Sequence, residues 1–335
     1  MAAVAAEAAQ GVLGRPVSAA QKKKPNRVRI GLYSITYLGI WYDGRALTLE
    51  EVIGRAKKYG YEGVEIDGKR PHGNPLDWPT ARCRELRKRA DGEGIDIYSV
   101  SANNDFSSPI SEHRQSQIAY VCGLIRMAGD LGARTLRVFL GWPGVSKDKD
   151  TGYYEYKYAR QTWDFLHQFI SDEEAWKLCR DALVECAHVA REHNIILALQ
   201  NHVPIIKDWE DMLRMIKEVN SPHLKACLDA PLMRDKSAES FRRAAREVGS
   251  LQALSHYGGE WKPGEKDASQ GPKFYRDFIE AMKEIGYTGY IGYELCHPLP
   301  IVGGKKVGLD YADKNARLAA EFMRGVVRSV YGESV

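Results

Sequence analysis

The chain has 335 residues, of which 44% are hydrophobic and 27% are charged, a composition typical of a soluble globular protein. Its formal net charge is +4, but residues 1–29 carry six basic side chains and one acidic side chain, so the remainder is close to neutral. This distribution argues against a nucleic-acid-binding surface, and no apolar run is long enough for a membrane helix. We therefore expect neither a nucleic-acid partner nor a membrane.

Residues 1–26 are predicted to form a disordered leader. Their Ala-rich stretch precedes the basic residues, which is the reverse of the order in a secretory signal. The six cysteines are widely spaced and form no CxxC pair. This spacing favours reduced, buried thiols in a cytoplasmic protein.

From Val28 onward, a short apolar strand, a polar loop, an amphipathic helix and a glycine recur along the chain. Alternating strands and helices predict a parallel sheet, and eight such units predict a closed (β/α)8 barrel, a TIM barrel, formed by residues 27–335 as one domain. An open doubly wound sheet is the alternative, but residues 33–44 lack the glycine-rich phosphate turn expected after its first strand. The predicted strands are 29–33, 63–66, 96–100, 135–140, 195–199, 225–228, 251–254 and 290–293. The predicted helices are 49–58, 80–90, 117–131, 173–192, 209–219, 237–248, 274–285 and 311–330.

The connection between the fourth strand and its helix, residues 141–172, is unusually long and is rich in Trp, Tyr, Lys and Asp. A connection of this length is more often functional than accidental. We interpret it as a lid or an interaction surface at the mouth of the barrel, and a simple surface excursion is the alternative.

Polar side chains stand at the ends of the last four predicted strands, where a barrel of this kind carries its active site. Oxygen ligands with one imidazole suit a hard or borderline divalent ion. We therefore predict a metal site with Mn²⁺ as the preferred ion and Mg²⁺ or Co²⁺ as alternatives. No cysteine arrangement indicates a structural zinc. The predicted ligands are Gln200, Asp229, His256 and Glu294.

Other side chains at the same strand ends are predicted to bind the substrate. The charged turn that begins with Glu65 and Asp67 and runs to residue 75 favours contacts with substrate hydroxyl groups. Aromatic rings can form walls for a sugar ring or a planar group, and Tyr33 and Trp261 are candidates. The predicted substrate contacts are His72, Asn74, Arg137, Trp142 and Tyr257.

Three strand ends have the sequences Cys227-Leu228-Asp229, Leu254-Ser255-His256 and Gly292-Tyr293-Glu294. With them, about residues 28–330 resemble the sugar phosphate isomerase/epimerase superfamily, the xylose isomerase-like barrels. The resemblance implies that the last residue of each segment holds a divalent ion. Gln200 stands where sugar epimerases of this group usually have Glu, and an amide cannot act as a base. This departure from the pattern argues against an epimerase that works with two carboxylates.

Within that superfamily, residues 67–78 and the strand end 199–202 look most like the larger subunit of bacterial C-glycoside deglycosidases. This closer resemblance implies a 3-oxo-glycoside substrate that a separate oxidoreductase produces. It also implies a small β-rich partner subunit in a hetero-oligomer.

These observations predict a metal-dependent lyase that cleaves 3-oxo-C-glycosides. A ketone at sugar C3 acidifies the hydrogen at C2, so a base can remove that proton and the aglycone can leave C1 by β-elimination. His202 is the predicted base, because a histidine can titrate near neutral pH, and Glu294 is the second predicted catalytic residue. Weaker candidates for the base are His297, Glu260 and Glu155.

Three other functions stay open. A metal-dependent aldose–ketose isomerase or ketose 3-epimerase would use the same ion. A non-catalytic binding barrel would not need four metal-type residues at its mouth. An apurinic-site endonuclease shares the barrel, but predicted strands two to four offer few suitable ligands and the body of the chain has no excess of positive charge.

Overall fold

Eight parallel strands form a closed barrel in the computed structural model, which describes residues 26–260 and 272–332. The strands are β1 (Arg29–Tyr33), β2 (Gly63–Asp67), β3 (Asp96–Ser101), β4 (Thr135–Val138), β5 (Ile196–Gln200), β6 (Leu224–Cys227), β7 (Gln252–Gly258) and β8 (Tyr290–Glu294). Each strand pairs with the next in chain order, and β8 closes the ring on β1 with Tyr290 opposite Arg29. The predicted (β/α)8 barrel is therefore confirmed. Residues 1–25 of the predicted leader lie outside the described residues.

Helices cover the outside of the barrel, and their ends follow from the local sequence. The first helix begins after Thr48, whose hydroxyl accepts a hydrogen bond from the Glu51 amide while the Glu51 carboxylate accepts one from the Thr48 amide. It ends at Gly60, whose φ of +77° is a left-handed conformation that favours glycine. The α-helices of the described residues are α1 (Leu49–Tyr59), α2 (Thr80–Glu93), α3 (Ser111–Leu131), α4 (Lys157–Leu166), α5 (Asp172–Glu192), α6 (Trp209–Val219), α7 (Ala238–Val248), α8 (Pro272–Glu284) and α9 (Leu309–Tyr331).

The inside of the barrel is apolar near the N-terminal ends of the strands. Tyr98 and Tyr290 stack there with their ring centroids 4.0 Å apart. Any side chain at Gly31 would meet the Tyr98 ring at 2.4 Å, so glycine is required for this packing. The predicted site residues Asp229, His256 and Glu294 lie beyond this packing, toward the C-terminal ends of the strands. The buried residues of this interior cluster are Tyr98, Ala198, Cys227, Leu254 and Tyr290.

The long connection after β4 lies over the C-terminal end of the barrel. It forms a short hairpin, Ser146–Lys147 with Tyr154–Glu155, followed by helix α4. A second hairpin after β8 meets it, because the Lys306 amide donates to the Tyr153 hydroxyl at 3.3 Å and the Lys306 ammonium lies 4.5 Å from the Tyr153 ring centroid. The Tyr156 hydroxyl also donates to the Cys296 carbonyl. These contacts tie the connection to the rim of the barrel.

All six cysteines are free thiols, and five of them are buried.

Among the residues that the structure describes, no helix combines the length and the apolar character that crossing a membrane requires.

Candidate active site

Asp229 lies two residues after the end of β6 and is held by main-chain and side-chain hydrogen bonds. Asn201, which follows β5, clamps its backbone, because the Asn201 amide oxygen accepts from the Asp229 N–H at 2.9 Å and the Asn201 amide nitrogen donates to the Asp229 carbonyl at 3.2 Å. The Asp229 carboxylate accepts from the His256 N–H at 2.7 Å and from the Gln200 side-chain amide. Burial raises the pKa of Asp229, but the His256 ring and the Gln200 amide outweigh it, so the net shift is downward. Asp229 therefore carries a fixed negative charge at the open end of the barrel.

His256, on β7, bridges two buried carboxylates. Its Nε2 lies 2.6 Å from Glu65 Oε2, and its Nδ1 lies 3.2 Å from Asp229 Oδ2. Burial and the Arg137 guanidinium lower the pKa of His256, but the two carboxylates raise it more, and the result is a pKa well above the usual range. The ring is therefore held in one orientation, with Nε2 committed to Glu65 and Nδ1 directed at Asp229.

Gln200 completes a compact group with Asp229 and His256. Its amide nitrogen donates to the Asp229 carboxylate, while its amide oxygen is buried and accepts no hydrogen bond from the described residues. A buried, unpartnered oxygen next to a carboxylate and an imidazole fits the needs of a divalent ion. We regard this group as the candidate metal centre, and Gln200 as the residue that would bring it a neutral oxygen.

Cys227 is a neighbour of this centre that sequence reasoning did not single out. Within the described residues, the ligand atoms of Cys227, Asp229 and His256 lie within 4.8 Å of one another. Burial and the nearby Asp229 raise the pKa of Cys227, and its thiol donates to Asp229 Oδ1 at 3.5 Å. The sequence did contain a signal, because Cys227 stands two residues before Asp229 and residues two apart in a strand share a face.

Glu294 ends β8 and stands apart from the compact group of Gln200, Asp229 and His256. Its carboxylate accepts from Arg137 Nη1 at 3.2 Å, and 20% of its side chain is exposed. With Asp229 and His256, it lines a cavity of about 220 Å³, which we call the metal-side cavity. Glu294 is thus available both to a metal ion and to a substrate.

Arg137, on β4, is buried between two carboxylates. Besides Glu294, its Nε lies 3.5 Å from Glu65 Oε1 and donates to Ser101 Oγ at 2.7 Å. Its guanidinium also covers the Tyr33 ring at 4.5 Å from the centroid. Arg137, predicted as a substrate contact, therefore lies inside the barrel, where its positive charge balances the carboxylates of Glu65 and Glu294. The predicted hydroxyl contact Glu65 is likewise engaged with Arg137 and His256, so we withdraw Glu65 as a substrate contact.

His202, the predicted base, lies half-buried just beyond β5. Its ring meets Phe139 and Trp142 edge to face, with both centroid distances 5.2 Å. Burial lowers the pKa of His202, although the hydrogen bond with the Val203 carbonyl and the negative charge of Glu294 oppose that shift. The predicted substrate contact Trp142 packs against Tyr156 of the long connection, with centroids 5.9 Å apart. The ring of His202 is thus held by two aromatic neighbours and by the Val203 carbonyl.

Several predicted site residues take other positions. The buried His72 ring lies 3.0 Å from Ser34 Oγ and 2.9 Å from the Leu47 carbonyl, so it supports a loop. The Tyr257 side chain points out of the barrel, where its hydroxyl donates to the Ala319 carbonyl at 3.2 Å. We therefore withdraw His72 and Tyr257 as substrate contacts. The alternation of strand side chains was the signal for Tyr257, because an inward His256 requires an outward neighbour.

Other candidates are distributed around the rim. The Asn74 side chain accepts from the Leu76 amide at 3.0 Å and also lines a second cavity. His297 Nε2 and Glu260 Oε1, both predicted as weaker bases, lie 3.2 Å from each other. Glu155 lies in the hairpin of the long connection. Trp261 lies outside the described residues.

A closed parallel barrel with candidate metal ligands at successive strand ends defines a recognisable class of protein. Residues 53–325 match the family described as the xylose isomerase-like TIM barrel, which covers more than half of the chain. The chain therefore belongs to the xylose isomerase-like TIM barrel family. No curated protein sequence matches the chain.

Solved structures share this fold at low sequence identity. D-psicose 3-epimerase with D-tagatose from Clostridium cellulolyticum H10 is 19% identical, with a TM-score of 0.65 over 90% of this chain and 99% of that chain. The apo form of 3-keto-D-glucoside 4-epimerase from E. coli is 17% identical, with a TM-score of 0.62 over 89% of this chain and 100% of that chain. The IOLI protein with a binding zinc atom is 17% identical, with a TM-score of 0.61 over 91% of this chain and 99% of that chain. At 17–19% sequence identity, these similarities show a shared fold and nothing beyond it.

Proposed function

We propose that the protein is a metal-dependent sugar isomerase or epimerase that removes a proton next to the carbonyl of a keto sugar. The observation that carries the proposal is the compact group of Gln200, Asp229 and His256, with Glu294 on the same metal-side cavity. The family match supports it, and so do the activities of proteins with similar structures, which include a D-psicose 3-epimerase and a 3-keto-D-glucoside 4-epimerase.

The candidate ligands favour a divalent ion that accepts oxygen and imidazole ligands, and Mn²⁺ is our first choice. Such an ion, when bound by Gln200, Asp229, His256 and Glu294, would withdraw electron density from a carbonyl and a neighbouring hydroxyl oxygen. Glu65 keeps the His256 ring in place, since it occupies Nε2 and leaves Nδ1 for the ion. Arg137 balances the negative charge of Glu65 and Glu294.

Proton transfer needs a group that can accept and return a proton. Gln200 cannot do this, because an amide is not a base at neutral pH. His202 and Glu294 are our first candidates. His202 follows β5, whereas Glu294 ends β8 and lines the metal-side cavity. We assign the removal of the proton from carbon to one of them. The second starts in its protonated form and delivers a different proton to the other face of the carbon, so that an epimerisation leaves the first group protonated and the second deprotonated.

Deuterium exchange tests this proposal directly. Purified protein with Mn²⁺ in D₂O should incorporate deuterium next to the carbonyl of a ketose or a 3-oxo-glucoside, as followed by proton NMR, and a new isomer should appear. Removal of the ion with a chelator should stop both. Glu294→Gln should lose exchange, while the exposed Glu192→Gln on α5 should keep it. Absence of exchange from every keto sugar in a panel of ketoses and 3-oxo-glucosides would reject the proposal.

A C-glycoside lyase is the second candidate, and Gln200 favours it. β-Elimination needs one base and one acid rather than a symmetrical pair of carboxylates, so a neutral residue at the end of β5 suits that reaction. The same enolisation would then release the aglycone from C1 of a 3-oxo-C-glycoside, with its leaving carbon protonated. The test is release of a phenolic aglycone, followed by its absorbance, with and without any small β-rich subunit that co-purifies. Exchange without release would leave the isomerase or epimerase.

A further inference from the structure

A second cavity opens at the same end of the barrel, beyond β2, β3 and β4. We call this cavity, of about 420 Å³, the strand 3 cleft. It lies on the opposite side of the mouth from Asp229 and His256, and none of the candidate metal ligands lines it. Its main side chains are Lys69, Asn103, His113, Gln117, Tyr120 and Trp142.

A row of contacts runs from the metal-side cavity to the strand 3 cleft. Arg137 holds Glu294 at 3.2 Å and covers the Tyr33 ring. The Tyr33 hydroxyl donates to the Asp67 carboxylate, which accepts from the Asn103 amide at 3.2 Å. Asn103 lines the cleft, so a row of buried contacts lies between the two cavities.

The sizes of the two cavities indicate a ligand with two parts. Pockets for small molecules usually measure about 300–1,000 Å³, and the metal-side cavity, at about 220 Å³, is below that range. The strand 3 cleft brings the combined volume into the range. A ligand that fills both would place its reacting ring at the metal-side cavity and a second group in the cleft.

The charges in the cleft favour a neutral second group. The Lys69 ammonium donates to the Asn103 amide oxygen at 3.2 Å and lies 4.0 Å from the buried Asp67 carboxylate, which balances it. The Asp105 carboxylate is occupied by the N–H and hydroxyl of Ser107. The lining thus has no excess of cations for a phosphate group.

The remaining groups suit a ring that carries hydroxyls. The Gln117 amide oxygen accepts from the Asp105 N–H at 3.2 Å, which orients its amide nitrogen as a donor. Trp142 contributes an aromatic ring and Gln117 contributes the amide donor, and such groups bind the apolar face and the hydroxyl edge of a sugar. We infer that the strand 3 cleft binds the non-reacting sugar ring of a keto-glycoside. This inference rests on the proposed function and narrows the substrate from a free ketose to a molecule with at least two sugar rings.

Binding to metal-free protein tests the cleft without any turnover. Isothermal titration calorimetry with cellobiose and maltose should show a Kd at least tenfold below that for glucose. Gln117→Ala should remove this preference, and His113→Ala, which changes an exposed side chain and leaves the core intact, should weaken it severalfold. Gln115→Ala is the matched control, because Gln115 lies on the same helix with an exposed side chain bonded to Ser111.

The outcomes separate the cleft from the proposed function. Equal Kd values for glucose and both disaccharides, or unchanged disaccharide binding in Gln117→Ala and His113→Ala, would overturn the cleft assignment. Tighter binding of 4-nitrophenyl glucoside than of either disaccharide would also overturn it and indicate an aromatic aglycone. A disaccharide preference without deuterium exchange would reject only the proposed function. Normal exchange without a disaccharide preference would reject only the cleft.

Discussion

The two halves of the barrel mouth are built differently. On the β5–β8 side, the carboxylate of Asp229 has hydrogen bonds from three residues that come from β5, β6 and β7. On the β2–β4 side, the strand 3 cleft is nearly twice as large, and exposed residues such as His113 contribute to it. The first half fixes the positions of a few charged groups, whereas the second leaves room for a ligand to make the contacts.

One scaffold can therefore keep the groups that do the chemistry apart from the groups that recognise the substrate. Groups that hold a cation must keep distances to within tenths of an ångström, so they are buried and cross-linked. Groups that select a substrate can be more exposed. Arg137 marks the boundary, because it bonds Glu294 on one side and covers Tyr33 on the other.

We expect the largest loss of activity from Asp229, at the centre of the β5–β8 side, which we call the fixed half. Asp229→Asn should abolish metal binding and lower the rate of the proposed deuterium exchange by at least about 10³-fold, because it removes the charge that both His256 and an ion require. Metal content by plasma emission spectroscopy and the exchange rate measure it. Asp77→Asn, an exposed carboxylate paired with Arg70, is the control. Full metal occupancy in Asp229→Asn would show that the β5–β8 side of the mouth does not hold the ion through Asp229.

His202→Asn tests the predicted base, which lies just beyond β5. If His202 transfers the proton, the exchange rate should fall by about 10²–10⁴-fold while metal content stays unchanged. His188→Asn, on the exposed face of α5, should match the wild type. Normal exchange in His202→Asn would leave Glu294 as the proton-transfer group.

Glu65→Gln tests whether the fixed half depends on a residue from the other half of the barrel. Because Glu65 on β2 orients His256 on β7, the variant should bind Mn²⁺ about 10–100-fold more weakly. Electron paramagnetic resonance of free Mn²⁺ measures the apparent Kd, and circular dichroism checks the fold. Glu62→Gln, where the carboxylate pairs with Arg27 at the other end of the barrel, is the matched control. An unchanged Kd would show that His256 needs no partner across the barrel.

The smallest effect lies outside both halves. Hydrogen bonds from Arg45 and from the Thr48 amide lower the pKa of Glu51 to about 2, below its value in the unfolded chain. The ionised Glu51 carboxylate therefore stabilises the folded protein fully above about pH 5, and this contribution to the free energy of unfolding is lost as pH falls toward 2. Glu51→Gln should cost less than about 1 kcal/mol in urea unfolding at pH 7, and the difference should narrow at pH 4. Mn²⁺ affinity should not change, and a pH-independent difference would contradict the assignment.

Much of the fold could be predicted because it depends on local patterns. Apolar strands, amphipathic helices and glycine ends recur with the spacing of βα units, and the observed strands overlap every predicted one. The candidate ligands Asp229 and His256 could be predicted for the same reason, since strand ends meet at one end of a barrel. The errors concern direction and partners. His72 and Tyr257 have the right chemistry, but their side chains bond Ser34 and the Ala319 carbonyl instead of facing the mouth.

The eight-unit barrel, the near-neutral body of the chain and the polar strand ends can be predicted from residue type and short-range spacing alone. The hydrogen bond between Glu65 and His256, 191 residues apart, and the position of Arg137 between two carboxylates depend on the folded chain. The same holds for the second cavity beside the first. These features arise when the ring of strands closes, since closure brings side chains from distant strands face to face across the interior.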